Sequence, residues 1–314
     1  MRVTTSRLLW ICAGGTFILV ILWCWPSSPD PPPRNVTELQ EGVVLSDPSF
    51  EVRVVQTLTI PPFLMAVPTA NDPCGNVCGA ILKKVGYYAP VETTVFRDLL
   101  ENRCLSQYPP SLVVDVGANL GYFTNYAASF GCRVKVFEPL PRALRYINAS
   151  LLLNGFGERA TVIHAAASDT GGMAYISENC NNTGFSKVTE TGTVPVRTVR
   201  LDEEIEEEEV LLLKIDVEGF EMNVLDGARA LKVRNMIVEM KTNDKERKRE
   251  FINERIDEGY RVWSYCESYA DTPSRWNMDI KKPLRPKEFT RIQHLGPGEW
   301  IRCEDVVISR DLSL

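Results

Sequence analysis

The sequence predicts an α/β protein: a mostly parallel sheet with helices on both faces, preceded by one apolar segment long enough to cross a membrane. Three observations carry this. From Ser111 onward, strand-like and helix-like stretches alternate, the order that builds a parallel sheet by crossovers. The strand runs, such as LVVDVG and VLLLKIDVEG, are more continuously apolar than a sheet with one wet face requires. Residues 8–25 (LLWICAGGTFILVILWCW) carry no charge.

Taking the chain in order, residues 8–25 fall at the lower edge of the roughly 17–25 residues that span a hydrocarbon core. Arg2 and Arg7 precede them and the segment PSSPDPPPR follows, which predicts a cytoplasmic N-terminus and a lumenal body. The reading is a single-pass type II membrane protein of the Golgi or endoplasmic reticulum. The alternative, a secreted protein with a cleaved signal peptide, needs a shorter apolar core and a small-x-small site, and WCWPSS supplies neither. Residues 1–7 are then a cytoplasmic tail, 8–25 a signal anchor and 26–45 an extended proline-rich stem. Residues 46–110 form an N-terminal cap region and 111–314 the principal domain. In the cap, YYAPVETTVFRDLLENR predicts a helix with Thr93 or Thr94 near its start and Val95, Phe96, Leu99 and Leu100 on one face.

The composition agrees with a lumenal body. Asn35-Val36-Thr37 and Asn181-Asn182-Thr183 fit the glycosylation acceptor pattern, whereas Asn148-Ala149-Ser150 falls inside an expected helix. Seven of the nine cysteines (Cys74, Cys78, Cys104, Cys132, Cys180, Cys266 and Cys303) lie beyond the anchor, where disulfides form. Cys74 and Cys78 lack a second pair at metal spacing, and the only histidines are His164 and His294, so the cysteines read as structural. A net charge of −6 argues against a nucleic-acid partner, which calls for a basic face.

Within the principal domain, LVVDVG is a strand and GYFTNYAASFG a helix closed by Gly131. RVKVFEP is a strand ended by proline, and RALRYINASLLLNG a helix with Gly155 at its exit. ATVIHAAAS reads as a third strand holding His164 in its interior, VLLLKIDVEG as a fourth, GFEMNVLDG as a short helix and NMIVEMK as a fifth strand. NDKERKREFINERIDEGY is an amphipathic helix with Phe251, Ile252 and Ile256 inward, and RVWSYC and CEDVVISR are the last two strands. The acidic run at 203–209 reads as a solvated face before the fourth strand.

In such a sheet, ligands bind beyond the carboxyl ends of the strands. The turn after the first strand is Asp115-x-Gly117-x-Asn119-x-Gly121, which is neither G-x-G-x-x-G nor a P-loop, so a phosphate ligand is disfavoured. The next strand ends in Glu138, placed to accept both hydroxyls of an unphosphorylated ribose. Together these suit an adenosine without a pyrophosphate, and S-adenosylmethionine fits, with Gly117 and Gly121 letting the backbone approach it. The plainer alternative is a tight turn and a glutamate that caps the following helix.

VVDVGANLGYFT, VFEPLPRALRYINASLLLNG, HAAASD, LLLKIDVEGFEMNVLDGA and IVEMK together resemble the FkbM family of S-adenosylmethionine-dependent methyltransferases, KIDVEGFE with VLDGA most specifically. The resemblance spans about residues 90–310, is strongest over 112–241 and thins over 267–300, which reads as an insertion. It implies a seven-stranded Rossmann-like sheet and methyl transfer to hydroxyl oxygens of sugars and small metabolites. It also implies that Asp115, Gly117, Asn119 and Gly121 line the methionine side, Glu138 holds the ribose, and Ser168 and Asp169 lie near the adenine. Asp216 then sits where the acceptor meets the methyl group.

A hydroxyl acceptor must lose a proton, so the carboxylates at the ends of the fourth and fifth strands are the catalytic candidates: Asp216, Glu218 and Glu239. Asp216 and Glu239 are expected to face the acceptor, with Glu218 orienting or ligating. Glu221 is a surface residue on the plainer reading, and Lys214 a partner for a carboxylate. A divalent ion on these oxygens stays open, with no metal ligand assigned. Two rival readings remain: a binding protein that kept only the fold, and a membrane-anchored glycosyltransferase, for which the usual Asp-x-Asp is missing.

Overall fold

In the computed structural model of the chain, the described residues are 7–13, 16–22, 52–69, 86–106, 108–177, 187–189, 192, 194–206, 209–241, 243–266, 289–301 and 303–312. The stem, Cys74, Cys78, Cys180, the acceptor sites at Asn35 and Asn181 and most of the insertion lie outside them.

At the N-terminus, β1 (Arg7–Ala13) and β2 (Thr16–Leu22) pair antiparallel, from Arg7 opposite Leu22 to Ala13 opposite Thr16. This differs from the helix expected over 8–25. Ile11, Thr16, Phe17, Ile18, Val20 and Ile21 are β-branched or aromatic, residue types that favour extended backbone. Among the described residues, no helix is long and apolar enough to cross a membrane.

A second hairpin, β3 (Val52–Gln56) and β4 (Leu64–Pro68), opens the cap region, followed by α1 (Pro90–Leu100). Pro90 starts α1, where a missing N–H does no harm, and Val95, Phe96, Leu99 and Leu100 are all buried as their spacing predicts.

The principal sheet comprises β5 (Leu112–Val116), β6 (Arg133–Phe137) and β7 (Ala160–Ile163), separated by α2 (Tyr122–Ser129) and α3 (Pro141–Asn154). A smaller sheet follows, made of β8 (Ala166–Ala167), β9 (Gly172–Ser177), β10 (Lys187–Thr189) and β11 (Val194–Val199). After the short α4 (Leu201–Glu204), the chain returns to the principal sheet as β12 (Val210–Ile215), α5 (Glu221–Asp226), β13 (Asn235–Glu239) and α6 (Lys245–Asp257). It ends with β14 (Arg261–Tyr265), β15 (Thr290–Ile292) and β16 (Asp305–Ser309).

The principal sheet runs β15-β14-β16-β13-β12-β5-β6-β7. From β7 to β13 all pairings are parallel; β16, β14 and β15 are antiparallel to their neighbours. The seven expected strands are present, with β15 added at one edge. Strand order reverses between β5 and β12, so the ends of those two strands border the crevice in which such sheets hold ligands. Every residue of β5 and β12 is buried, as continuous apolar runs require. One face is covered by α1, α2 and α3 through Phe96, Phe123, Tyr126 and Ile147. The other is covered by α4, α5 and α6 through Leu201, Met222, Leu225 and Ile252, with Phe251 and Ile256 packed partly against them.

Two local features differ from expectation. ATVIHAAAS splits into β7 and β8, and β8 joins the smaller sheet in the order β10-β9-β11-β8. His164 lies in the break, exposed, with a ring nitrogen 3.0 Å from the Pro139 carbonyl, so it is not a core histidine. The β3–β4 hairpin lies on α3, whose side chains satisfy the edge of β4. Asn154 accepts from Leu64 N–H at 2.8 Å and donates to its carbonyl at 2.7 Å, and Ser150 accepts from Ala66 N–H at 2.9 Å. The Asn148-Ala149-Ser150 triplet is helical, as expected. Disulfides join Cys104 to Cys132 and Cys266 to Cys303.

Candidate active site

The turn from β5 to α2 is held from three sides. Gly117 N–H donates to the Phe137 carbonyl at 2.9 Å, tying the turn to β6. Gly117, Asn119 and Gly121 all have positive φ, at 75°, 51° and 79°. At Gly117 a Cβ would stand 1.9 Å from the Asp216 carbonyl oxygen, and at Gly121 it would meet Ile147 of α3 at 2.9 Å. The glycines are therefore required by the protein's own packing, a stronger reason than ligand approach. Asp115, buried at the end of β5, accepts from Thr124 at 2.6 Å through one oxygen, while Oδ1 is buried with no protein partner. Burial pushes its pKa up, against the pull of Lys214 and Thr124.

Glu138, 4% exposed at the end of β6, accepts from Asn119 N–H at 2.7 Å and Leu140 N–H at 2.9 Å. The sequence offered a ribose ligand or a helix cap; the carboxylate braces both the glycine turn and the approach to α3. A carboxylate has about four acceptor positions, so those two bonds leave capacity for hydroxyls. Burial raises its pKa to about 7, opposed by the two backbone donors.

Ser168 and Asp169 follow β8. Ser168 donates to Asp169 at 2.9 Å, and Asp169 is further engaged by Asn223 of α5 and, at its carbonyl, by Arg200 at 2.6 Å. Gly227 packs so closely that a Cβ there would lie 1.9 Å from the Ser168 carbonyl. These contacts secure the loop to α5; among the described residues none runs to the glycine turn.

On the acceptor side, Asp216, Glu218 and Glu239 do come together, with one oxygen of each within 4.8 Å of the others. Asp216 follows β12 and Glu239 ends β13, and their carboxyl groups are hydrogen-bonded to each other. Two lysines flank them. Lys214 Nζ lies 3.5 Å from Asp216 Oδ2 and 5.3 Å from the centre of the Phe123 ring. Lys241 Nζ lies 2.9 Å from Glu218 and 3.0 Å from Glu239. Burial and the adjacent Asp216 push Glu239 up to about 10. Burial works the same way on Asp216, but Lys214, the Glu239 hydrogen bond and Lys241 outweigh it and hold Asp216 below the usual carboxylate range. At neutral pH the pair therefore divides its roles, with Asp216 ionised and Glu239 carrying the proton.

Three participants were not recognised in the sequence. Glu92, in the first turn of α1, is held up to about 8 by burial, with Lys214 opposing and Asp216, Asp305 and Asp115 adding to the rise. Asp305 of β16 pairs with Glu239 across the sheet. Lys241 lies just past a strand end, a position that would have flagged it. Glu221 corrects an expectation: it is fully buried, and its Oε1 accepts from Gly219 N–H at 2.7 Å. Backbone strain collects here too, since Ala89, Asn119 and Glu218 are three of the four non-glycine residues with positive φ among the described residues.

Residues 115–267 match the methyltransferase FkbM domain. No curated protein matches the chain. Among solved structures, a precorrin-6y C5,15-methyltransferase from Geobacter metallireducens is similar at 16% identity, over 69% of this chain and 85% of that one, with a TM-score of 0.35. A SAM-dependent methyltransferase from Agrobacterium tumefaciens is similar at 11% identity, over 83% and 71%, with a TM-score of 0.42. TYW2 of Pyrococcus horikoshii, in complex with MeSAdo, is similar at 13% identity, over 81% and 69%, with a TM-score of 0.38. With the match of residues 115–267 to the methyltransferase FkbM domain laid over this strand order, glycine turn and buried Glu138, the chain is an S-adenosylmethionine-dependent methyltransferase.

Proposed function

We propose that the chain is an O-methyltransferase acting on a hydroxyl of a glycan or small metabolite in the secretory pathway. The observation that carries this reading is the convergence of Asp216, Glu239 and Glu218, each with an oxygen within 4.8 Å of the others, at the ends of two adjacent strands beside the glycine turn. The cofactor fits the residues present: the unpartnered Asp115 Oδ1 suits an ammonium, and Glu138 retains acceptor capacity for ribose hydroxyls. Asp115, Gly117, Asn119 and Gly121 would hold the methionine part, Glu138 the ribose, and Ser168 and Asp169 the adenine end. When bound, S-adenosylmethionine supplies an electrophilic methyl group on a sulfonium.

The protein's share is alignment and proton handling. Asp216 would accept the proton of the acceptor hydroxyl as that oxygen bonds to the methyl carbon and the carbon–sulfur bond breaks, the sulfur leaving as a neutral thioether. Glu239 donates a hydrogen bond to Asp216 and keeps that carboxylate turned toward the acceptor. Lys214, pinned between Asp216 and the face of Phe123, prevents Asp216 from taking up a proton before the acceptor arrives.

The topology proposed is a type II protein anchored through residues 8–25 with residues 46–314 in the lumen, supported by the uncharged stretch and the arginines that precede it. The test of function is a calorimetric titration of the full chain with S-adenosylmethionine beside Glu138→Ala, followed by a screen of sugar acceptors. Saturable binding that the variant loses, with label transferred to a hydroxyl, is the expected result. Absence of binding by folded protein would overturn the reading. Protease protection in microsomes tests the topology.

A further inference from the structure

We propose that Lys241 is a built-in cation: its ammonium takes the place among Glu218, Glu239 and Asp216 that a divalent ion would otherwise fill, and positions the Asp216–Glu239 pair. The inference rests on the acid–base reading of that pair given above. Three carboxylate oxygens within 4.8 Å of one another have the spacing of a hard-cation site. Lys241 already reaches two of them at hydrogen-bonding distance, 2.9 Å to Glu218 and 3.0 Å to Glu239. Its own backbone N–H donates to the Glu239 carbonyl at 3.0 Å, so the lysine is fixed to the residue it serves.

Glu218 confirms the arrangement from the other side. It holds a left-handed backbone, φ 56°, which a glutamate adopts only when its surroundings require it. Its carboxylate is only 14% exposed and is turned onto Lys241. The sequence of contacts is Glu218, Lys241, Glu239, Asp216, Lys214, in which Lys241 stands between Glu218 and Glu239, a hydrogen bond joins Glu239 to Asp216, and Lys214 closes the end. A divalent ion would need all three carboxylates ionised and Lys241 displaced. With the lysine in place, Glu239 is held on its Oε1 and presents its hydrogen bond to Asp216. Lys241 is thus a positioning residue for the Asp216–Glu239 pair.

The test is a Mn2+ titration of the full chain, following free Mn2+ by electron paramagnetic resonance, for the native protein, Lys241→Ala, Lys241→Met and Lys241→Arg. The native protein and Lys241→Arg are expected to show no saturable site. Lys241→Ala and Lys241→Met are expected to gain one, abolished again when Asp216→Asn is added. Lys241→Met keeps the length of the side chain and carries the test if the alanine variant unfolds. A saturable Mn2+ site in the native protein that Asp216→Asn removes would overturn the proposal. So would a folded Lys241→Met that gains no site, because the ammonium would then not be standing in for a cation. Neither readout involves methyl transfer or S-adenosylmethionine, so this result and that of the cofactor titration fail independently.

Discussion

Glu239→Gln separates what this site does for chemistry from what it does to stability. The native side chain keeps its proton up to about pH 10, whereas in the unfolded chain it releases it near 4.5. Between those values the folded state binds more protons than the unfolded state, so stability falls as pH rises through that window. Each pH unit corresponds to about 1.36 kcal/mol, so from about pH 5 to about pH 8 the loss approaches ~4 kcal/mol if the site is perfectly dry. Glu239 is 28% exposed and touches Lys241, which reduces the figure to about 2 kcal/mol. Glutamine does not titrate, keeps an acceptor for Lys241 and offers an N–H to Asp216. The variant is therefore expected to lose stability less steeply with pH, ending about 2 kcal/mol above the native chain at about pH 8 when both are matched at about pH 5. Urea unfolding of both proteins across that range is the assay. Parallel curves would refute the claim that Glu239 holds a proton in the folded state.

Other expectations follow from the same geometry. Gly117→Ala forces a Cβ against the Asp216 carbonyl in a left-handed conformation, and is expected to cost at least ~3 kcal/mol by thermal or urea unfolding. Phe96→Ala removes a fully buried ring whose centre lies 4.4 Å from that of Phe123, and is expected to lower stability by about 3–5 kcal/mol and to loosen α1 in hydrogen exchange. Breaking the Cys104–Cys132 disulfide, whose partners are 28 residues apart, is expected to cost about 3–4 kcal/mol in urea with the other disulfide intact. Glu92→Gln is expected to remove a transition near pH 8 from the pH profile of S-adenosylmethionine binding; an unchanged profile would place Glu92 outside the site.

Much of the parallel sheet was readable because fully buried strands must be apolar on both faces, and β5 and β12 are. Helix exits were readable where glycine supplies the left-handed residue, as Gly155 does after α3 with φ 67°. The smaller sheet was not, since β8 has two residues and β9 exposes Met173 and Tyr175, so neither shows a period. Asp216, Glu218 and Glu239 were found because strand ends converge on a crevice, a rule that works within the sheet. Glu92 was invisible for the opposite reason: it reaches the cluster from α1, before the first strand, and nothing in a helical pattern says what its polar face will meet.

The placement of Glu92 separates two things that a domain match treats as one. Asp115, the glycine turn and Glu138 lie within residues 115–267, whereas Glu92 reaches the cluster around Asp216 from a helix upstream of them. Two chains with the same glycine turn and the same carboxylate pair can present different pockets through one turn of that helix. Removing the chain before β5 would take away Glu92 together with Phe96, Leu99 and Leu100 of the core, so the charge that α1 brings to the cluster is inseparable from the packing that supports the glycine turn.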